Sequence, residues 1–423
     1  MLIKNDALLK NHLVTIPLSF EKPTEEDRVN PDEERQENVF FWRKWLVATK
    51  NILPTFLIVH TLAFLISCAA GLFTVHDYSV KRFPIYTLWQ QWGRWDALQF
   101  VFIADNGYTY RKAAFFPLYP FLIKGVKHLT HNNSLVAGML IANLAGFVML
   151  VVLYQLVSEE FGKESAQRTV LYLSMFPAAF FLMAAYNESL FLCFTLMLFY
   201  FMRHKHWWLA GICGFFAMLT RSVSILLVVP FLYEYLRQHQ FQLRKIRFDI
   251  LSISLIPVAL LIYGSFCYYR FGDFFAFADT QIYWSRHLVF PGYNLLLALK
   301  TIVHSSGILS FYSLRTIMDI VPDLFVGLLL TLALVGPWRF KRSQMVYVLY
   351  AWLIFIYAQI YPVIGTDMLP LSALSRYLLE VFPAFIVLGT IGRHRTVNQG
   401  YLLLASGLFF FLLTQFLLGH LVI

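Results

Sequence analysis

One aspartate in an aromatic and basic setting is the residue of this chain best suited to chemistry. Asp96 lies in Trp-Gly-Arg-Trp-Asp-Ala (92–97), within a polar loop that joins two long apolar runs. A carboxylate at a bilayer surface costs free energy, and tryptophan neighbours give no evident structural return for it. It suits a general base, which takes a proton from a hydroxyl group as that oxygen attacks a second substrate. We therefore predict that Asp96 is the catalytic base.

Arginines near this loop could bind an anionic leaving group. Arg376 is the first choice, since it begins an apolar run beside Tyr377 and could reach a cavity under the loop. Hydrogen bonds from a guanidinium group strengthen as negative charge develops on their acceptor. The same side chain could instead extend from a helix end to the membrane surface. The other candidate cations on this side are Arg94, Arg111, Lys112 and Arg286.

Two further charges lie inside apolar stretches. Glu188 is placed between two apolar runs, and Arg221 interrupts a third in Thr-Arg-Ser (220–222). Ionisable groups within a membrane are usually paired and functional, so we expect the two to meet in one cavity. A structural ion pair and a substrate-binding pair both remain open. Three aromatic residues beside the candidate charges are further candidate substrate contacts: Trp95 next to Asp96, Tyr186 two residues before Glu188, and Tyr377 next to Arg376.

Composition places the chain in the membrane. Of its 423 residues, 59% are hydrophobic and 14% are charged, whereas soluble domains carry about 25% charged residues. The net charge of +10 forms no basic stripe on a soluble domain, so we predict no nucleic-acid partner. Residues 1–50 are polar and are predicted to be a flexible or amphipathic cytoplasmic segment. The four cysteines lie in apolar runs and imply no disulfide framework.

Apolar runs near the length of about 20 residues that a spanning helix needs predict most of the fold. They cover 54–75, 135–157, 168–186, 249–268, 320–337, 343–361, 376–392 and 400–421, with a shorter run at 188–202. Basic residues flank both ends of 207–236, which favours a hairpin of two short helices with Arg221 at its turn. The prediction is an all-α multi-pass protein of about eleven segments, with the N-terminus inside and the C-terminus outside.

Three loops then face outward, at 76–134, 269–319 and 362–375. Leu88, Trp92, Trp95 and Phe102 recur at helical spacing, which predicts an interfacial amphipathic helix over 86–104 that ends at Asn106-Gly107. A second short helix follows it in the same loop. Asp105 is nine residues after Asp96 and falls on the opposite face of such a helix, so it is either a helix-end cap or an acceptor contact.

Several kinds of chemistry lack a signature. No His, Cys or Asp cluster has metal-ligand spacing, and no glycine-rich loop could bind a nucleotide sugar. We predict no cofactor and no metal. Asn132 and Asn187 open Asn-x-Ser sequons, but both lie almost against the membrane, and we expect neither to be glycosylated.

The loop sequence resembles that of a known family. Arg-Trp-Asp-Ala-Leu-Gln-Phe (94–100), Ala-Phe-Phe-Pro-Leu-Tyr-Pro (114–120), Phe-Pro-Ala-Ala-Phe-Phe-Leu-Met-Ala-Ala-Tyr-Asn-Glu-Ser-Leu-Phe (176–191) and Leu-Thr-Arg-Ser (219–222) are similar to segments of the PIG-V mannosyltransferases and their prokaryotic relatives. Ser-Arg-Tyr-Leu-Leu-Glu-Val-Phe-Pro (375–383) is a weaker match. The chain departs from the family at Gln99, where histidine is common, and at Val223-Ser224, where Asn-Gly is usual.

The resemblance implies a GT-C fold for residues 51–423, with 76–134 as the catalytic outer loop and 269–319 as the second outer loop. It also implies a mannosyltransferase that uses a polyprenyl- or dolichyl-phosphate sugar, with Asp96 as base. A lipid monophosphate leaves readily, so one carboxylate suffices for a single inverting displacement. The acceptor is a glycolipid, a polymer or a protein. The membrane is the cell membrane in a prokaryote, which we favour, or the ER membrane in a eukaryote.

Two other classes of function remain open. A lipid-linked sugar transporter or flippase would share a charged cavity but would need no base. A non-catalytic scaffold subunit would carry the same loop without using it. A transporter built on inverted repeats should show matching broken helices in both halves, and the sequence shows no internal repeat, which favours an enzyme. An accessory subunit is a further possible partner.

Overall fold

The computed structural model describes residues 31–74, 86–305, 307–364, 371 and 373–420. Its regular structure there is helical, apart from a single bridge between Arg286 and Val363. The α-helices are α1 (Pro31–Thr74), α2 (Tyr86–Gln90), α3 (Asp96–Asn106), α4 (Leu118–Val126), α5 (Ser134–Phe161), α6 (Lys163–Ser174), α7 (Glu188–Arg203), α8 (Trp207–Thr220), α9 (Val228–Gln238), α10 (Leu255–Phe271), α11 (Ala276–Asp279), α12 (Tyr293–His304), α13 (Phe311–Leu334), α14 (Met345–Ile360), α15 (Leu374–Tyr377), α16 (Phe382–Ile391) and α17 (Arg395–Leu418).

The chain divides into two compact units, Met1–Leu46 and Val47–Ile423. The first unit is described only from Pro31, where α1 begins. The end of the predicted polar N-terminal segment (1–50) is therefore helical, while residues 1–30 lie outside the described part.

Six of the described helices are long and apolar enough to cross a membrane, so the chain is an integral membrane protein. They are Arg43–Phe73, Ser134–Phe161, Phe248–Phe271, Ser313–Leu334, Arg342–Ile360 and Arg395–Leu418. A pair of shorter helical pieces, Leu374–Glu380 and Phe382–Ile391, is bent by 76° and counts as a seventh span if taken together. These spans coincide with predicted apolar runs. The predicted total of eleven and the orientation stay predictions.

The predicted span at 168–186 is wrong as a continuous helix. Helix α6 ends at Ser174, and the chain then runs irregularly to Asn187, with one 3₁₀ turn at Ala179–Leu182. Pro177 explains the break, because proline lacks a backbone N–H and disfavours helical backbone in the residue before it.

Polar side chains satisfy the backbone of this break. Asn143 of α5 donates from Nδ2 to the carbonyl of Met183 at 2.9 Å, and Ser189 Oγ donates to the carbonyl of Leu182 at 2.6 Å. An unpaired backbone carbonyl in a membrane interior costs several kcal/mol. The break therefore persists because two neighbouring helices supply donors to it.

The region 207–236 forms the predicted hairpin. Helices α8 and α9 are separated by Arg221, whose backbone is extended, and by a 3₁₀ segment at Ser222–Leu227. The ring of Trp207, at the start of α8, lies 4.8 Å from that of Tyr235, near the end of α9. The start of α8 and the end of α9 therefore lie side by side, and Arg221 is at the turn between the two helices.

The predicted continuous helix over 86–104 is also wrong. Helix α2 ends at Gln90 and α3 begins only at Asp96, because Trp95 adopts a φ of 43° that an α-helix cannot accommodate. The end of α3 at Asn106 agrees with the sequence, and Gly107 follows with a φ of 82°. As predicted, a second short helix, α4, completes the loop.

The second of the three predicted outer loops contacts both of the others. In the second loop, the indole of Trp284 donates from Nε1 to the carbonyl of Arg111 in the first loop at 3.0 Å. Ile364, in the third loop, donates its N–H to the carbonyl of Ser285 at 2.8 Å. These contacts fix the second loop against the other two. All three loops contribute residues to the lining of one cavity.

Candidate active site

A cavity of about 350 Å³ lies beneath the three loops, within the usual range for small-molecule sites of roughly 300–1,000 Å³. Its walls come from α3, the break after α6, the hairpin turn, the second loop, α14 and α15. Its charged lining residues are Asp96, Arg221, Arg286, Arg376 and Glu380.

Asp96 is the first residue of α3, where the free N–H groups of a helix N-terminus favour a negative charge. Its side chain is 28% exposed and lines the cavity. Arg376 Nη1 donates to Asp96 Oδ2 at 2.7 Å. The carboxylate therefore stays accessible while one of its oxygens is bound to a guanidinium group.

Asp96 begins a row of alternating charges, which we call the charge chain: Asp96, Arg376, Glu188, Arg221 and Glu380. Arg376 Nε lies 3.1 Å from Glu188 Oε1, and Arg221 Nη1 donates to the same oxygen at 2.7 Å. Arg221 Nη2 lies 2.9 Å from Glu380 Oε1. Glu188 is fully buried and Glu380 is 2% exposed. Each buried charge is thus next to an opposite one, as charges removed from water require.

Tyr377 connects the charge chain to Arg286. The Tyr377 hydroxyl accepts hydrogen bonds from Arg376 Nη2 at 3.1 Å and from Arg286 Nη2. The Arg286 guanidinium carbon also lies 4.9 Å from the centre of the Tyr377 ring, a favourable cation–π distance. No carboxylate of the described residues is within salt-bridge distance of Arg286. An anion entering the cavity could therefore bind Arg286 without displacing a carboxylate from its guanidinium group.

The cavity brings together most of the residues that the sequence singled out. Trp95 and Tyr186 line it beside Asp96, Arg221, Arg376 and Tyr377. The Tyr186 ring lies 5.3 Å from the Arg376 guanidinium carbon, and its hydroxyl donates to the carbonyl of Arg94 at 3.1 Å. Glu188 does not line the cavity itself, but it contacts two arginines that do, Arg376 and Arg221. The roles of all these residues toward a substrate stay predictions.

Arg94 and Asp105 lie outside the cavity. Arg94 donates from Nη2 to the carbonyl of Leu417, the next-to-last residue of α17, at 2.7 Å. Asp105 binds Lys127 at 3.0 Å and accepts from Ser134 Oγ at 2.6 Å. Its place on the opposite face of α3 from Asp96 explains this position. We do not assign either residue to the site.

Two other candidate cations, Arg111 and Lys112, are not among the residues that line the cavity. The Arg111 guanidinium group packs over the ring of Tyr283 at 4.7 Å. Lys112 donates to the side chain of Gln99, and burial lowers the pKa of its ammonium group. Arg286 and Arg376 are thus the candidate cations that reach the cavity from the predicted list.

Sequence reasoning missed several lining residues, including the acid Glu380 and the amide Gln99. Glu380 lies within the apolar run 376–392, where an acid four residues after Arg376 was a usable signal. Gln99 lines the cavity one helical turn after Asp96. Among the residues that the structure describes, no group of three His, Cys, Asp or Glu side chains could hold a metal ion. Metal independence stays a prediction.

Comparison with known proteins finds one matching family model and several solved structures with a similar fold. Residues 112–269 match the family model described as dolichyl-phosphate-mannose-protein mannosyltransferase. A search of curated proteins gives no significant match. Among solved structures, ArnT from Cupriavidus metallidurans, bound to undecaprenyl phosphate, has a TM-score of 0.52 at 16% identity, covering 82% of this chain and 62% of its own.

A second similar structure is the archaeal oligosaccharyltransferase AglB from Archaeoglobus fulgidus, in complex with an inhibitory peptide and a dolichol-phosphate. Its TM-score is 0.40 at 10% identity, and the match covers 86% of this chain and 56% of AglB. The chain thus spans under two thirds of the length of both. It has the fold of the GT-C glycosyltransferases, as predicted. Membership of the PIG-V family stays a prediction.

Proposed function

We propose that this protein is a glycosyltransferase that moves a sugar, mannose, from a polyprenyl- or dolichyl-phosphate donor to a hydroxyl group of a membrane-proximal acceptor. The transfer takes place on the extracytoplasmic side, with inversion at the sugar carbon. The observation that carries this proposal is the position of Asp96: an accessible carboxylate in a cavity that also presents Arg286 and Arg376.

The reaction is a single displacement. Asp96 takes the proton of the acceptor hydroxyl while that oxygen forms a bond to C1 of the sugar. The bond between C1 and the phosphate oxygen breaks, and the phosphate leaves with the electron pair. A glycosidase needs a second carboxyl group as an acid, whereas a lipid phosphate leaves without protonation. One accessible carboxylate beside two guanidinium groups fits this requirement.

The leaving phosphate would bind Arg286 and Arg376. Arg286 is held on Tyr377 without a described carboxylate partner, so it can bind an incoming anion first. Arg376 now donates to Asp96 Oδ2. A phosphate competing for Arg376 would release that oxygen as a proton acceptor, so donor binding would prepare the base. Guanidinium groups so placed stabilise the charge that develops on the phosphate.

Mannose as the sugar is supported by the family model matched over 112–269 and by the resemblance to the PIG-V mannosyltransferases. The lipid-phosphate donor is supported by the fold and by the undecaprenyl phosphate bound to ArnT. The acceptor is a glycolipid, a polymer or a protein, and the membrane is the cell membrane of a prokaryote.

Transfer by the purified protein tests the proposal. The protein in nanodiscs is incubated with polyprenyl-phosphate mannose or glucose and a panel of membrane extracts, and products are identified by mass spectrometry. We expect a mannosylated product that depends on the lipid donor. The proposal would be contradicted if no sugar were transferred from either lipid donor to any acceptor. Equal transfer from a nucleotide sugar would contradict it as well.

A further inference from the structure

Gln99 lines the cavity one helical turn after Asp96, and the reaction above gives it no role. Side chains three residues apart on a helix are neighbours, with β-carbons about 5–6 Å apart. A molecule that brings a hydroxyl group to Asp96 therefore places its adjacent atoms near the Gln99 amide. Because a glutamine amide has an acceptor oxygen at one end and two N–H donors at the other, its orientation decides which atoms it can bind.

Lys112 fixes the orientation of the Gln99 amide. The Lys112 ammonium group, which packs over the ring of Phe102 at 4.3 Å, donates to Gln99 Oε1. An ammonium group has three donors and no acceptor, so only the oxygen end of the amide can face it. The donor end, Gln99 Nε2, is then directed away from Lys112. In the part of the chain that the structure describes, no acceptor binds Gln99 Nε2, and this atom is not fully buried.

The turn that carries Lys112 is held from two sides. It is a 3₁₀ turn at Tyr110–Ala114 in the first loop. The Tyr263 hydroxyl of α10 donates to the carbonyl of Ala113 at 2.8 Å, and Trp284 of the second loop binds another carbonyl of the same turn. A backbone bonded to two other segments cannot readily shift, so the ammonium group keeps its place beside α3.

Gln281 offers the opposite chemistry at the same turn. Its Nε2 donates to the carbonyl of Phe277 at 3.1 Å and to that of Ala114, the last residue of the turn, at 3.4 Å. Because these bonds use its N–H groups, the group that remains for the cavity is the acceptor oxygen Oε1. The wall around this turn therefore offers donors at Gln99 and an acceptor at Gln281.

A row of hydroxyl groups fits this arrangement, since each hydroxyl can both donate and accept a hydrogen bond. One hydroxyl gives its proton to Asp96, the oxygen beside it accepts from Gln99 Nε2, and a third can donate to Gln281. The single hydroxyl of a serine or threonine side chain could reach the base but would leave the other two groups unused. A site built to bind a substrate hydroxyl discriminates against molecules that lack it.

We propose that Gln99 is a specificity-determining residue that selects a polyol acceptor, such as a sugar ring or a glycerol unit, by binding the oxygen next to the reacting hydroxyl. Lys112 does not line the cavity and acts only through Gln99, so it is a positioning residue. The kinetic part of this inference rests on the proposed function, while the binding part does not.

Binding of a soluble polyol tests the inference without a transfer assay. Methyl α-mannoside is titrated into the protein in nanodiscs, and saturation-transfer NMR gives its Kd. Gln99→Glu keeps the size of the side chain and an oxygen for Lys112, but it replaces the donor nitrogen with a second acceptor. We expect its Kd to rise about tenfold, the effect of one lost hydrogen bond. Asn106→Leu is the control, since it removes an amide of α3 that does not line the cavity, and its Kd should equal that of the parent.

Two results of this titration would overturn the inference. One is a parent-like Kd in Gln99→Glu, which would show that Gln99 only holds Lys112. The other is tighter binding of N-acetylserinamide than of the mannoside by the parent, which would favour a protein acceptor.

Kinetics test the same inference in the active protein, with methyl α-mannoside as acceptor. Gln99→Met should raise the acceptor KM about tenfold and leave the donor KM unchanged. Lys112→Met should raise the acceptor KM severalfold, because it lets the amide rotate, and should add nothing to Gln99→Met. Lys127→Met is the control, since Lys127 binds Asp105 outside the cavity.

A rise in the donor KM in place of the acceptor KM would overturn the inference, as would losses from Gln99→Met and Lys112→Met that multiply. If the parent protein transfers sugar to no acceptor, the proposed function fails, and the NMR titration still decides whether Gln99 binds a polyol.

Discussion

Arg376 Nη1 donates to Asp96 Oδ2 at 2.7 Å, although the two residues are 280 positions apart in the sequence. The same guanidinium group also contacts Glu188 and the Tyr377 hydroxyl. The Arg376 side chain therefore contacts the proposed base Asp96, the buried acid Glu188 and the tyrosine that binds Arg286. Its planar shape with several donors allows these contacts together.

Arg376→Lys should lower kcat about 100-fold or more, the loss seen when a group that stabilises developing charge is removed. Lysine keeps the charge but offers a single ammonium group, which cannot reach Asp96, Glu188 and Tyr377 together. Steady-state kinetics with the lipid donor measure the effect. Near-parent turnover in the lysine variant would show that charge alone suffices and would contradict the geometric argument.

Arg286→Gln should raise the KM for the lipid donor about tenfold, since it removes the guanidinium group that is not bound to a described carboxylate, and one charge-assisted hydrogen bond is worth roughly 1.5–3 kcal/mol. Arg111→Gln is the control, because Arg111 lies in a neighbouring loop and packs on Tyr283 outside the cavity. Its donor KM should stay close to that of the parent. Equal effects of the two variants would indicate general attraction of the lipid rather than a specific contact.

Exchanging the charges of Glu188 and Arg221 should not restore function. The exchange would keep an ion pair between the two positions, but it would put an arginine at 188 next to Arg376, which lies 3.1 Å from Glu188. Glu188→Gln alone should destabilise the fold by about 1–3 kcal/mol, since Arg376 and Arg221 lose the carboxylate they share while each keeps a second one, Asp96 or Glu380. Thermal unfolding and turnover of the single and double variants measure both effects. Recovery of activity by the exchange would show that the pair is only structural.

Asn143→Leu should destabilise the protein by about 1–3 kcal/mol, because the carbonyl of Met183 loses its donor inside the membrane domain. Thr331→Val is the control, since the Thr331 hydroxyl bonds only to Gly327 in its own helix and is exposed. Thermal unfolding in detergent measures the melting temperatures of the two variants and of the parent protein. If both variants melt at the same temperature as the parent, the break after α6 does not depend on Asn143.

The spans were predictable from the sequence because apolar runs of about 20 residues have one favourable location in a bilayer. The hairpin at 207–236 was predictable as well, because basic residues flank both of its ends. The break after Ser174 was not predicted, since a hydropathy average does not register that Pro177 interrupts hydrogen bonding. The turn at Trp95 was missed because periodicity carries no information about a positive φ.

The site was predictable where charge had to be neutralised. Glu188 and Arg221 are expected to meet because neither can be buried alone. Proximity in sequence was a poorer guide: Arg94 is two residues from Asp96, yet its guanidinium group binds the carbonyl of Leu417 outside the cavity. Glu380 was missed because a single acid hardly changes the apolar character of its run.

The activity of Asp96→Asn tests the central claim most directly. Asp105→Asn is the matched control, because it removes the other acid of α3, which lies outside the cavity and binds Lys127 and Ser134. With polyprenyl-phosphate mannose as donor, we predict that Asp96→Asn abolishes transfer at parent-like expression and melting temperature, while Asp105→Asn retains it. Near-parent transfer by Asp96→Asn would contradict the account.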